Sequence, residues 1–231
     1  MNQIPQLKPK ISSSSEKGEE EFQKEYDMSK ARYLGGGAFG KVYAIESQLD
    51  KQEWAIFTWH KHPFYYVVIV MEKGEQNLQS EINQRKLKNN EFTDNELDKI
   101  FKQCLDGLNF MAKSKEIYHR DIKPENILIN PKTLEIKLTD FGLSKVYHDE
   151  KIKQSMAGNH TILGSPVYLS PLLWNAYIKQ NQFKVSHNLE KSDVFSLGLT
   201  FLQISLLLSH KDLNGLNQED GTLAKAPNLK M

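Results

Sequence analysis

One cysteine, Cys104, is all the thiol chemistry in 231 residues, so no internal disulfide can staple the fold, and the chain suits a reducing compartment. The lone thiol reads as a small buried side chain. Excess charge is lacking too: 30 Lys and Arg stand against 29 Asp and Glu, which gives no reason to expect nucleic acid or an anionic membrane as a partner. Nor is there a long apolar run. The most apolar stretch, Leu197 to Leu208, is interrupted by Thr200, Gln203 and Ser205, falls short of the roughly 20 residues of a membrane span, and reads as a buried helix. The first residues have no apolar secretory core, and Asn2 stands where myristoylation needs glycine. The expected location is cytoplasmic or nuclear. What remains, at 39% hydrophobic, is a chain able to bury a sizeable core.

Residues 1–30 are polar, with the run Ser12-Ser13-Ser14-Ser15 and the acidic Glu19-Glu20-Glu21, and show too little apolar periodicity to pack. They read as a disordered leader, in which a solvated tail is favoured over a phosphosite in the serines. From Ala31 the pattern is strand, glycine turn, strand: Tyr33-Leu34, Gly35 to Gly40, Lys41 to Ile45. A third strand is expected at Glu53–Phe57 and a buried one at Tyr65–Met71. Helices follow at Leu78–Lys88 and Asn95–Ser114, the second opened by a Thr93/Glu96 capping box and striped with Leu97, Ile100, Cys104, Leu108 and Met111. Short strands are expected at Ile127–Ile129 and Ile136–Leu138, then a long irregular segment over 143–170 and a helix from Ser192 to Leu208.

Gly35-x-Gly37-x-x-Gly40-x-Val42 between two strands lets backbone amides approach phosphate without side-chain obstruction. The chain then carries Tyr118-His119-Arg120-Asp121-Ile122-Lys123-Pro124-Glu125-Asn126 and, nineteen residues past Asp121, Asp140-Phe141-Gly142. These two acid-bearing loops have the composition that phosphoryl transfer from ATP uses: a carboxylate to take a hydroxyl proton, and an amide and a carboxylate for magnesium.

The nine residues from Tyr118 to Asn126 resemble the catalytic loop of eukaryotic protein kinases, and Lys123 resembles the serine/threonine type. The resemblance spans about residues 31 to 208. It implies an α+β, bilobal protein kinase-like fold: a reduced, antiparallel β-rich N-lobe over 31–72 and a mainly helical C-lobe over 73–208, both incomplete, with a polar tail over 209–231. It also implies a site for ATP and Mg²⁺ and a protein substrate bearing Ser or Thr. Asp121 would be the base, Lys123 would touch the transferred phosphate, and Asn126 and Asp140 would bind metal. Leu34, Gly35, Gly36, Gly37, Ala38, Phe39, Gly40, Val42, Ala55, Met71 and Glu72 would contact ATP. Gly164 to Pro171 resembles the end of the activation segment, with Ser165 facing substrate and Thr161 at the usual phosphosite, where its phosphate would pair with Arg120. Asp193 would hold the catalytic loop from the buried helix.

The pattern also breaks. Phe57 stands where the family has its third-strand lysine, and a phenyl ring cannot bind phosphate. Only 13 residues separate Phe57 from Met71, too few for a helix, a strand and their turns, so the helix carrying the partner glutamate has no room. Lys41 is expected to face solvent and Lys61 lies past the strand position; His60 and His62 around it read as a solvated loop rather than a metal site. Leu172 replaces the glutamate of the family's Ala-Pro-Glu. A missing stretch of coding sequence would explain Phe57, but not Leu172, which lies inside intact sequence. The C-terminal truncation is expected to strip packing partners from the leucines of the last helix. The leading expectation is transfer of the ATP γ-phosphate to a protein Ser or Thr, with impaired activity. The alternative is a catalytically inactive pseudokinase that binds a nucleotide or a partner, and a third reading is a fragment that does not fold alone.

Overall fold

The computed structural model describes residues 16–37, 40–62, 65–146, 157–179 and 184–214. Two compact units meet in sequence at Gly74, Met1–Gly74 and Glu75–Met231. Ser12 to Ser15, Ala38, Phe39 and residues 215–231 lie outside the described residues.

The first unit is an antiparallel meander of β1 (Arg32–Gly37), β2 (Gly40–Glu46), β3 (Glu53–His62) and β4 (Tyr65–Glu72), paired in that order. Its β-branched and aromatic residues suit a pleated surface covered on one side. Ser47 sharpens the β2–β3 turn by accepting the Leu49 and Asp50 N–H groups on Oγ, and Asp50 takes the indole N–H of Trp54. The register places Ile45, Ile56 and Val68 on one face and Val42, Ala55, Phe57 and Met71 on the other. β3 runs to His62, where it pairs with Tyr65 at the start of β4. Only two residues, 63 and 64, separate the strands, too few for a helix between them.

Residues 16–30 depart from the expected leader. Glu16–Glu25 form helix α1, Asp27 caps a 3-10 turn over Met28–Lys30, and the Gln48 N–H donates to the Glu25 carbonyl. Phe22 and Tyr26, four residues apart, pack with Ile45, Ile56 and Val68, and Tyr26 is only 6% exposed. One aromatic ring inside a charged decapeptide is too sparse to register as amphipathic; the sheet face it covers supplies the missing half of the signal.

The second unit is mainly helical. It opens with β5 (Gln76–Asn77), α2 (Leu78–Leu87) and α3 (Asp94–Asn109), and α3 continues through a π-helical turn at Phe110–Lys115. Four short strands follow, β6 (Ile117–Tyr118), β7 (Ile127–Ile129), β8 (Ile136–Leu138) and β9 (Lys145–Val146). Then come β10 (Ala157–Thr161), α4 (Pro171–Ile178), β11 (Lys184–Asn188), α5 (Leu189–Leu206) and α6 (His210–Asn214). β5, β7 and β8 form one small sheet, while β6 pairs with β9 and β10 with β11. The apolar stripe of α3 (Ile100, Cys104, Leu108) closes on Ile127, Leu197 and Ile204 as the main core. Burial pushes the Cys104 thiol up to about 12, so it stays protonated and inert.

Three expectations need correction here. The segment 143–170 is not irregular throughout: β10 finds a partner in β11, a pairing between residues too far apart in sequence for local pattern to reveal. α5 starts three residues before Ser192, and most of its apolar face is covered: Leu197, Leu199 and Ile204 are buried and Phe201 stacks on Phe101 at 3.8 Å, while Leu206 stays exposed. The tail beginning at Ser209 starts with structure. Ser209 and Asp212 exchange capping bonds, and Leu213 is buried against Tyr168 and Leu199.

A buried ion network joins α2 to α3. Arg85 bonds Glu81 at 2.7 Å and Glu96 at 2.6 Å and 3.1 Å, and its guanidinium lies 3.9 Å from the centre of the Phe92 ring. Glu96 also completes the capping box with Thr93 that the sequence announces.

Two stability outcomes follow. Tyr26→Ala is expected to lower the unfolding free energy of the sheet unit by about 3 kcal/mol, read from Trp54 fluorescence in denaturant; an unchanged midpoint would show α1 to be detachable. The Arg85 bond draws Glu96 down to about 2, so its stabilisation is complete above its ordinary value of about 4.3 and is lost as pH falls through about 2. Glu96→Gln should therefore cost about 1–3 kcal/mol at neutral pH, with the gap from wild type closing towards pH 2.

Candidate active site

The loop between β6 and β7 carries Asp121, Lys123 and Asn126, and one carboxylate fixes its shape. Asp193, buried near the start of α5, accepts the His119 N–H on Oδ2 and the Arg120 N–H on Oδ1, both at 2.8 Å. Burial raises its carboxyl above the usual range, and the two N–H donors pull the other way. Arg120 sits at φ +70°, a region that costs an L-residue about 1–3 kcal/mol and persists only when surroundings enforce it. His119 is fully buried; its Nε2 donates to the Thr139 carbonyl at 2.9 Å, and its ring lies 5.0 Å from Phe141. The Tyr118–Asn126 loop is thus bonded to the segment that leads into Asp140-Phe141-Gly142.

Asp121 is the centre of a compact polar cluster. Its Oδ1 accepts both the Ser165 N–H and the Ser165 hydroxyl at 2.9 Å. Its Oδ2 meets Lys123 Nζ at 2.9 Å and Asn126 Nδ2 at 3.0 Å. Lys123 also donates to Ser165 Oγ at 2.7 Å, so a serine hydroxyl is held between base and ammonium. Burial works to raise the Asp121 carboxyl, but Lys123 and the Ser165 donors outweigh it and hold it below its ordinary value. Asp121 is ionised at neutral pH.

Asn126 spends its amide N–H groups on the carbonyl and carboxylate of Asp121, which leaves Oδ1 as its remaining acceptor. Its backbone carbonyl accepts the Thr139 N–H at 3.0 Å, and Ile127 pairs with Leu138, so Asn126 and Asp140 stand at neighbouring ends of the β7–β8 ladder. Asp140 is exposed, at φ +60°, with Oδ1 facing the Gly142 N–H at 3.4 Å. One amide oxygen and one exposed carboxylate fit magnesium, which keeps water and substrate phosphate in its shell and needs few protein ligands. Among the described residues there is no group of three His, Cys, Asp or Glu that would form an all-protein metal cage.

The activation segment lies against this loop. Gly164, at φ +109°, passes so near that a Cβ there would stand 2.6 Å from the Arg120 carbonyl oxygen; only glycine fits. Arg120 Nη2 donates to the Thr161 carbonyl at 2.7 Å, and the exposed Thr161 pairs across β11 with Lys184. Lys145, His160 and His187 gather beside them. Lys145 Nζ is 3.1 Å from His160 Nδ1, and the two imidazoles meet edge to face at 5.3 Å. Burial, then Lys145, His187 and Arg120, bring His160 down to about 4, so it is neutral and accepts from the lysine. Neither histidine belongs to a motif, and nothing in the sequence pointed to them.

In the first unit, Gly35, Gly36 and Gly37 pair with Val42, Lys41 and Gly40 in a hairpin, and exposed Leu34 lies at its bulge. Val42, Ala55 and Met71 share one sheet face; Glu72 lies on the other. Phe57 belongs to the Val42 face and its ring lies against the glycine turn: a Cβ on Gly40, at φ +155°, would fall 2.7 Å from its Cζ and 2.3 Å from the Thr58 carbonyl. Lys41 is exposed on the opposite face. The side chains of His60, Lys61 and His62 lie outside the described residues.

The family model for the protein kinase domain matches residues 56–223. The match starts beyond the glycine hairpin. A probable serine/threonine-protein kinase nek3 of Dictyostelium discoideum is 35% identical over 145 residues, 62% of this chain and 12% of that one. Mitogen-activated protein kinase kinase 1c of Physcomitrium patens is 29% identical over 241 aligned positions, 87% of this chain and 62% of the relative. Mitogen-activated protein kinase kinase 2 of Arabidopsis thaliana is 37% identical over 112 residues, 48% of this chain and 26% of the relative. The chain spans less than two thirds of the length of each of these relatives. With most of its length matching that family model, and with the α+β architecture of a small antiparallel sheet and a mainly helical unit, this chain is a member of the protein kinase family.

Proposed function

We propose that the chain is a serine/threonine protein kinase domain that transfers the ATP γ-phosphoryl group to a protein hydroxyl, at a rate held down by its N-terminal unit. The observation that carries this reading is the Asp121 cluster, in which a hydroxyl already sits 2.9 Å from the carboxylate and 2.7 Å from the Lys123 ammonium. A substrate hydroxyl in such a place gives its proton to Asp121 while its oxygen bonds to the γ-phosphorus, and ADP departs as the leaving group. Lys123 offsets charge on the transferred phosphoryl oxygens. Asn126 and Asp140 would hold magnesium, which supplies neutralisation of phosphate charge. Arg120, beside Thr161, would order the segment around a phosphate there.

Phe57 supports a slower enzyme. The family's lysine–glutamate ion pair must be in place for full activity, and here the strand position is a phenyl ring and β3 leads directly into β4. Loss of one comparable electrostatic contact costs roughly 10² to 10³ in rate. The same observation favours a second reading, a pseudokinase that binds a nucleotide or a partner and signals by conformation.

Radiolabelled transfer from ATP to a generic Ser/Thr protein substrate separates the two. The kinase reading expects slow transfer that Asp121→Asn lowers by about 10² to 10⁴; equal counts from both proteins would rule it out in favour of the binding module. In parallel, magnesium-dependent thermal stabilisation by ATP should be lost in Asp140→Asn and kept in Asp121→Asn, whose side chain is assigned to proton transfer.

A further inference from the structure

Beyond the Asp121 cluster, a line of side-chain amides runs from the buried Gln203 outward to the first helix of the second unit. The Tyr168 hydroxyl donates to Gln203 Oε1 at 2.5 Å, and Gln203 Nε2 donates to Gln79 Oε1 at 2.8 Å. Gln79 Nε2 donates in turn to Asn83 Oδ1 at 3.0 Å. Every bond points the same way, from core to the exposed face of α2, so each amide is fixed in orientation by both neighbours. Gln203 is fully buried on α5, a position where an amide without partners is costly.

Tyr168 is gripped at its other end too. Its carbonyl accepts the Ser196 hydroxyl at 2.9 Å, about two turns before Gln203 on the same helix, and its ring lies with Leu199 and Leu213. Three residues upstream, Ser165 presents its N–H and hydroxyl to Asp121, and the Tyr168 N–H donates to the Ser165 carbonyl at 2.9 Å. Tension or slack at Tyr168 therefore reaches Ser165 through one turn of 3-10 helix.

We propose that Gln203 is a positioning residue, and that the Tyr168–Gln203–Gln79 relay lets α2 set how firmly Ser165 is held against Asp121. The importance of that hold for catalysis rests on the kinase reading; the relay itself does not. A change at α2 that withdraws the Gln79 carbonyl would loosen the loop beside the base without touching either directly.

Hydrogen exchange of the full chain, followed by mass spectrometry over residues 164–169, tests this without requiring phosphotransfer, so an inactive chain leaves the test intact. Tyr168→Phe and Gln203→Leu are expected to speed exchange of the Ser165, Tyr168 and Leu169 amides about tenfold. Gln79→Leu, which touches none of them and is half exposed and so tolerant of change, should speed the same amides about threefold. Gln79→Glu keeps an acceptor for Gln203 Nε2 and should return them to within about twofold of wild type. Wild-type exchange at 164–169 in Gln79→Leu, with loosening confined to α2, would overturn the relay. So would equal effects of Gln79→Leu and Gln79→Glu.

Discussion

The pair of bonds from Asp193 is the constraint on which the shape of the Asp121 loop depends. A loop that must carry Arg120 at positive φ and a buried Asp121 one residue later will not hold that shape unaided. The buried carboxylate supplies two short bonds to consecutive N–H groups, and α5 supplies the burial that keeps water from competing for them. From this anchor the rest follows: His119 is pinned to Thr139, Asp121 turns towards Ser165, and Asn126 is drawn onto Asp121. The reactive carboxylate then sits among donors, which is why its proton affinity falls although it is buried.

The two units differ in how completely they are equipped. The second holds Asp121, Lys123, Asn126 and Ser165 in one bonded cluster, with Asp140 at the neighbouring end of the β7–β8 ladder. The first keeps its glycine hairpin and the Val42, Ala55 and Met71 side of its sheet, but puts Phe57 against Gly40 where the family has a lysine. Its stability is organised accordingly, with α1 sealing the Ile45, Ile56 and Val68 face of a sheet in which β3 runs straight into β4.

Much of this was legible beforehand. The strands at 127–129 and 136–138, the helix at Leu78, the Thr93/Glu96 capping box and the strand over Tyr65–Met71 were readable because each is decided by local periodicity or a short-range cap. The members of the Asp121 cluster were legible, since Asp121, Lys123 and Asn126 fall in the run Tyr118–Asn126 and Ser165 in Gly164–Pro171; their contacts were not. α1 was not, because one phenylalanine among charges has meaning only beside the sheet it covers. β10 and β11 were not, because their pairing joins segments more than twenty residues apart. Tyr168, Gln203 and Gln79 were invisible as a set, being ordinary residues of three separate elements.

By itself the sequence determined which groups are present and which are missing: Asp121, Lys123, Asn126 and Asp140 are there, and the third-strand lysine is not. Those are facts of composition at fixed spacing, and no packing can alter them. Only the tertiary structure decided what these groups touch. Proton affinity, hydrogen-bond direction and backbone strain are set by neighbours brought in from distant positions, Asp193 for the loop, Ser165 for the base and Phe57 for the glycine turn, and such neighbours are chosen by burial in a shared core rather than by adjacency in the chain.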